Sequence, residues 1–348
     1  MRVAIADSQV AFFHGGAELL AARLADGVRA LGHDVEMLRF PFNPASPADL
    51  GRVLDFCTAE DAGRYIATPD VLVALRFPAY LVRHPDKRVW LLHQLRQYYE
   101  YYGETSVGAN REAADAFRAK LVAADKRALS EASQVYALSR RVAARLQQNN
   151  GVAARPLYSP LPTEEGFYAG KQERYVFAPS RLEKHKRQGL LIEAMAHVKG
   201  DVNAVIGGEG GAYEEYRRRI EALGLRDRVL LTGHLAHHVQ AAWYANALAV
   251  FFGPQDEDYG YITLEAMLAA KPVLTCRDSG GTLEFVQDGV TGFVTDPDPL
   301  QVAARIEELA ARPARAREMG EAGRESYRKL GLTWERTAAT LIQKGNTP

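Results

Sequence analysis

Short apolar runs alternate with longer amphipathic segments along the chain. Residues 3–6, 34–38, 71–75, 89–92 and 134–138 read as strands, mostly apolar on both faces. After the first of them, a helical apolar period over residues 17–31 stops at Gly32, a residue suited to a left-handed C-cap. The alternation restarts further on, with strands predicted at residues 175–178, 203–206, 229–231, 247–252 and 272–275. Helical patterns cover residues 213–223, where Gly224 marks the stop, and residues 301–325. A last short helix over residues 333–343 has Thr333 as its cap and Trp334 as an apolar anchor. Between the two sets, Pro156, Pro160, Pro162, Gly166 and Gly170 interrupt any period.

Strands that alternate with helices call for parallel sheets covered on both faces. The expected organisation is therefore α/β with two Rossmann-like domains. Residues 1–160 form the first, residues 155–170 the linker and residues 170–330 the second; the C-terminal helix within 333–348 returns to the first. Ligands of such folds bind at the carboxyl ends of the strands, in the cleft between the halves.

The stretch from Pro254 to Ala266 carries the most chemistry. Gly253-Pro254 ends a buried strand, and Ile262, Leu264, Ala266, Met267 and Ala270 give the next helix its apolar face from about Tyr261. The amides of Gly260, Tyr261, Ile262 and Thr263 then lack partners within the helix and stand at the positive end of its dipole. Such an end holds a phosphate, and a glycine at 260 lets the backbone come close to it. Glu265 follows one turn later, placed to accept hydrogen bonds from hydroxyls such as those of a ribose. A nucleoside diphosphate is the ligand this pattern fits.

Three blocks give the chain a family resemblance. They are Ser180-Arg181 through Lys186 to Ala194, then Ile206-Gly-Gly-Glu209-Gly210 with Asp227 to Gly233, and lastly Glu257 and Glu265 with seven residues between them. In that order they resemble the retaining, two-domain (GT-B) glycosyltransferases of family 4. Asp278 through Gly280-Gly281 to Glu284, and Asp288 to Val294, continue the pattern. Gly15-Gly16-Ala-Glu18 and Leu92-His93-Gln94 extend it more loosely into the first half.

The resemblance implies transfer of a sugar from a nucleotide-sugar to an acceptor hydroxyl with retention of configuration, in glycan or glycolipid assembly. Arg181 and Lys186 would clamp the diphosphate. Gly260, Tyr261, Ile262 and Thr263, with Glu209, would complete the donor site. Glu265 would take the ribose hydroxyls, and Glu257 would face the transferred sugar. His93 is assigned to donor sugar or acceptor, and Gly15 and Gly16 to a loop on the acceptor side shaped by Glu18. Tyr98 and Tyr99, in a tyrosine-rich run, are candidates for stacking on an acceptor. The family usually has glycine where this chain has Asp258, so that carboxylate is expected to face away, with Tyr259 in a packing role. Lys184, His185 and Arg187 are left to the surface, as are His234, His237 and His238.

Composition narrows the field. In 348 residues, Lys plus Arg and Asp plus Glu both total 43, which gives no reason to expect a nucleic-acid partner. Two cysteines, Cys57 and Cys276, support neither a disulfide framework nor a zinc site. With no apolar signal segment at the start and no run near the ~18 apolar residues of a membrane span, a cytoplasmic protein is expected, peripheral membrane contact staying open. No cofactor or metal is expected beyond the donor substrate, whose base (UDP, GDP or ADP) the sequence leaves unresolved. Three other readings stay open: a metal-dependent transferase using Asp256 and Asp258, a GT-B nucleotide-sugar epimerase or phosphorylase, and a non-catalytic sugar-nucleotide-binding module.

Overall fold

The computed structural model describes residues 1–12, 15–41, 43, 47–59, 63, 68–103 and 111–343. The chain divides into two units, Met1–Pro162 with Leu332–Pro348, and Thr163–Gly331.

The first unit runs β1 (Arg2–Gln9), α1 (Gly16–Ala30), β2 (Asp34–Pro41), α2 (Pro47–Thr58), β3 (Val71–Ala74), β4 (Lys87–Leu91), α3 (Arg111–Ser130), β5 (Gln134–Ala137), α4 (Arg140–Asn150) and β6 (Arg155–Pro156). Its six strands lie in the order β2-β1-β3-β4-β5-β6, every neighbouring pair parallel. The edge strand β6 falls in the stretch read as linker; Pro156 is tolerated there because an edge position need not donate to a neighbour.

The C-terminal helix, Trp334–Ile342, packs against α1 within this unit. Thr333 caps it by accepting from the Arg336 amide at 3.1 Å, and Trp334 Nε1 donates to the Leu161 carbonyl at 3.0 Å. Arg88, 1% exposed, closes its other end by donating to the carbonyls of Leu341 (2.9 Å) and Gln343 (2.7 Å). Those carbonyls have no partner further along the helix, so the guanidinium supplies it. Residues 344–348 of the expected helix lie outside the described residues.

Tyr98 and Tyr99 belong to the core of this unit rather than to an open stacking surface. Tyr98 packs edge-on against Phe117 with ring centroids 4.7 Å apart, and Tyr99 donates to Asp125 at 2.7 Å. Asp125 is wholly buried, and burial pushes its carboxyl up to about 7 despite the hydrogen bond from Tyr99. The acid is then neutral in the folded chain over a range in which it ionises in the unfolded one. Its contribution to stability is fully present below about pH 4 and is lost as pH rises to about 7. Asp125→Asn should therefore flatten the pH dependence of thermal unfolding between those limits. A variant with the wild-type slope would contradict this.

The second unit runs β7 (Tyr175–Pro179), α5 (Gln188–Met195), β8 (Asn203–Gly207), α6 (Tyr213–Ala222), β9 (Val229–Gly233), α7 (His237–Asn246), β10 (Ala249–Phe251), α8 (Tyr261–Leu268), β11 (Val273–Cys276), β12 (Gly292–Thr295), α9 (Pro299–Ala311) and α10 (Pro313–Leu330). The strand order is β12-β11-β10-β7-β8-β9, again parallel throughout. The single helix expected over 301–325 is two, because Pro313 cannot donate to the turn before it and opens α10 instead. Among the described residues no helix is long and apolar enough to cross a membrane.

Candidate functional site

In the second unit, chain order moves outward from β7 to β8 and β9, then returns to the other side of β7 with β10. The connections after β7 and β10 therefore diverge at their carboxyl ends and leave a crevice, the place where parallel α/β sheets hold ligands. Arg181 and Lys186 lie on the connection that leaves β7. Glu257 and Gly260 lie on the one that leaves β10.

Backbone bonds join these connections. The Gln255 amide donates to the His185 carbonyl at 2.7 Å. Ser180 N donates to Gly207 O at 3.0 Å, and Leu182 N to Glu209 O at 2.8 Å, laying the Arg181 segment along the glycine loop after β8. Gly208 has φ +129°, and a Cβ there would stand 1.9 Å from the Ser180 carbonyl oxygen, so only glycine fits this approach. On the other side, Glu257 forms a bridge with Gly280, and its carbonyl accepts from the Gly281 amide at 2.8 Å.

The side chains sort by partner. Lys186 Nζ is ion-paired with Glu257 Oε2, their side chains 12% and 16% exposed. The same ammonium lies 5.8 Å from the centre of the Phe252 ring. Arg181 is exposed, and its guanidinium makes no hydrogen bond or ion pair among the described residues. Glu209 is exposed as well. Arg187, expected at the surface, instead makes a bidentate pair with Asp278 (2.7 and 2.6 Å), tying the β7 connection to the one after β11. The Arg187 guanidinium holds the Asp278 carboxyl below its ordinary range.

Helix α8 starts at Tyr261, with Gly260 as a left-handed cap at φ +87°. The Thr263 amide turns back to the Gly260 carbonyl at 3.0 Å, while the Tyr261 and Ile262 amides have no carbonyl one turn earlier inside the helix. Tyr259 is packed edge-on between Tyr261 and Phe285, at 5.2 and 5.3 Å. Glu265, one turn into α8, is half-buried and accepts from the Tyr244 hydroxyl at 2.5 Å. Burial pushes its carboxyl above the ordinary value, with Tyr244 and His237 opposing that shift. The two connections and the start of α8 thus carry two cations, two carboxylates and one helix terminus, groups of the kind able to hold a diphosphate and the hydroxyls on either side of it. Asp256 and Asp258 lie in the same connection, but among the described residues no group of three or more His, Cys, Asp or Glu is placed to hold a metal ion.

His93, Gly15 and Gly16 belong to the first unit, where each follows or adjoins the carboxyl end of a strand. His93 is half-buried, with Nδ1 2.8 Å from the Gln94 carbonyl. Gly15 donates its amide to Glu18 at 2.8 Å. Sequence reasoning missed what holds Glu18: Arg76, on the connection after β3, donates to Glu18 (2.6 Å) and to Asp7 (2.7 and 2.9 Å). Burial pushes the Glu18 carboxyl up, but Arg76 and the Gly15 amide outweigh it, and the group ends below its ordinary value. This buried triad sits where β1 and β3 diverge, the corresponding switch point of the first sheet.

Residues 165–326 match the family described as glycosyl transferases group 1. The chain is 34% identical over 175 residues to the GDP-mannose-dependent alpha-(1-6)-phosphatidylinositol monomannoside mannosyltransferase of Mycolicibacterium smegmatis, covering 45% of each. It is 27% identical over 161 residues to human alpha-1,3/1,6-mannosyltransferase ALG2, covering 42% of this chain and 38% of the relative. The matches thus span less than half the length of these relatives. Among solved structures, Anabaena HepE in complex with UDP and glucose superposes with a TM-score of 0.76 at 19% identity over 98% of both chains. The fold is that of the GT-B glycosyltransferases.

Proposed function

We propose, from a chain whose residues 165–326 match the glycosyl transferases group 1 family, that the protein transfers a sugar from a nucleoside-diphosphate sugar to an acceptor hydroxyl with retention of anomeric configuration. The observation that carries this reading is the convergence of Arg181, the Lys186–Glu257 pair and the start of α8 at the switch point of one parallel sheet.

In this reading the diphosphate lies against the Tyr261 and Ile262 amides, with Arg181 and Lys186 as counter-charges. Glu265 receives the ribose hydroxyls. Lys186 then stands between two anions, the diphosphate and Glu257. The bond from the anomeric carbon to the leaving phosphate oxygen breaks, and its electron pair goes to the phosphate. Cations already in place meet that charge without reorganising, the condition under which electrostatic stabilisation is largest. Glu257 faces the sugar and stabilises the positive charge growing at its ring. The acceptor oxygen attacks from the face the phosphate leaves, and its proton passes to a phosphate oxygen, so no enzyme nucleophile is required. Loops on the carboxyl edge of the first sheet, with Gly15, Gly16 and His93, are the candidates for acceptor recognition. Assembly of a glycan or glycolipid is the setting this reading favours.

Two measurements test it. Glu265→Gln removes the ionic acceptor while keeping the shape, and should weaken nucleoside diphosphate binding about 10- to 100-fold by titration calorimetry, as loss of a charge-assisted hydrogen bond does. Unchanged affinity would remove Glu265 from the ribose. Product analysis by NMR should show one anomer of the donor's own configuration, and an inverted product would rule out the same-face route.

A further inference from the structure

We propose that Tyr244 is a positioning residue for donor recognition, its hydroxyl fixing the Glu265 carboxylate in the orientation that receives the ribose. The inference rests on the assignment of Glu265 to the ribose and adds the group that aims it. Tyr244 lies on α7, 0% exposed, and its ring is held edge-on between Phe167 (5.5 Å) and Phe177 (5.1 Å). A ring enclosed this way has one place for its hydroxyl, which donates to Glu265 Oε2 at 2.5 Å. The second carboxylate oxygen accepts no hydrogen bond among the described residues and is left for a ligand. A carboxylate on a flexible two-carbon stem loses rotamer freedom when it binds, and a fixed donor on one oxygen removes that cost beforehand. The bond also supports the ionised form, which burial disfavours. Among the described residues, His237, at the start of α7, is the further titratable group whose charge acts on the carboxylate.

Tyr244→Phe keeps the ring and its packing and deletes only the donor, so the fold should survive. UDP, GDP and ADP are first titrated into the wild type in EDTA; the tightest of them is then compared with its 2′,3′-dideoxy counterpart and with inorganic pyrophosphate. Tyr244→Phe is expected to weaken the ribonucleotide about 5- to 20-fold while leaving the dideoxynucleotide and pyrophosphate within about twofold of wild type. Glu265→Gln should show the same selectivity. An equal loss on all three ligands would make Tyr244 merely structural and overturn the inference. Wild-type ribonucleotide affinity in Tyr244→Phe, with Glu265→Gln weakened, would overturn it while leaving Glu265 on the ribose. Wild-type affinity in Glu265→Gln would remove both assignments together.

Discussion

Lys186→Ala should lower kcat/KM for sugar transfer by about 10²- to 10³-fold, the loss seen when one preorganised donor aimed at developing charge is removed, roughly 2.7–4 kcal/mol. Two effects combine in that number. The leaving phosphate loses a cation, and Glu257, whose side chain is 16% exposed, loses its ion-pair partner. An uncompensated half-buried carboxylate beside a diphosphate repels the donor, so binding and chemistry both suffer. Because the two residues form one network, their substitutions should not add. Glu257→Gln should cost clearly less in the Lys186→Ala background than in the wild type. Initial rates for the four proteins of this cycle check the prediction. Strict additivity would mean that the pair does not act as a unit during turnover.

Gly260→Ala should weaken donor binding at least tenfold and lower the melting temperature by several degrees. The residue has φ +87°, where a Cβ costs about 1–2 kcal/mol. That Cβ would also stand 2.8 Å from the Thr282 hydroxyl and 3.1 Å from Phe252, two side chains that are themselves packed in place. Relief of the contact must move the turn that aims the Tyr261 and Ile262 amides, and a displaced anion site follows. Gly289→Ala is the control, because its φ is +72° and nothing lies within 4 Å of the added carbon. It should lose stability through strain alone and keep donor affinity. Equal donor affinity in the two variants would show that the start of α8 does not hold the phosphates.

Much of the second sheet was legible because its strands are continuous apolar runs. Residues 175–178 and 203–206 fall inside β7 and β8, and the helix expected from about Tyr261 begins there. Gly260 was readable for the same reason: a glycine before an apolar helix has few other uses. What the sequence hid are pairings between distant residues. Arg187 and Asp278 are 91 positions apart, and Arg76 and Asp7 are 69 apart. Each pair meets only because the strand order brings the carboxyl ends of separate strands to one edge of a sheet. Tyr244 and Glu265, 21 positions apart, meet across neighbouring helices for a similar reason. The tyrosine run misled because a tyrosine looks equally suited to a sugar and to a core. Its place was decided by Asp125, 26 positions after Tyr99, which gives the buried hydroxyl an acceptor.

The most direct test of the donor site is thermal unfolding of the wild type and Lys186→Ala with UDP, GDP and ADP in EDTA. A ligand at 100 times its dissociation constant adds about 2.7 kcal/mol of stability. The expected result is metal-independent stabilisation of the wild type by one of the three, reduced or lost in Lys186→Ala. Stabilisation of the same size in both proteins would place the diphosphate away from Lys186, and no stabilisation by any of the three would contradict the donor site itself.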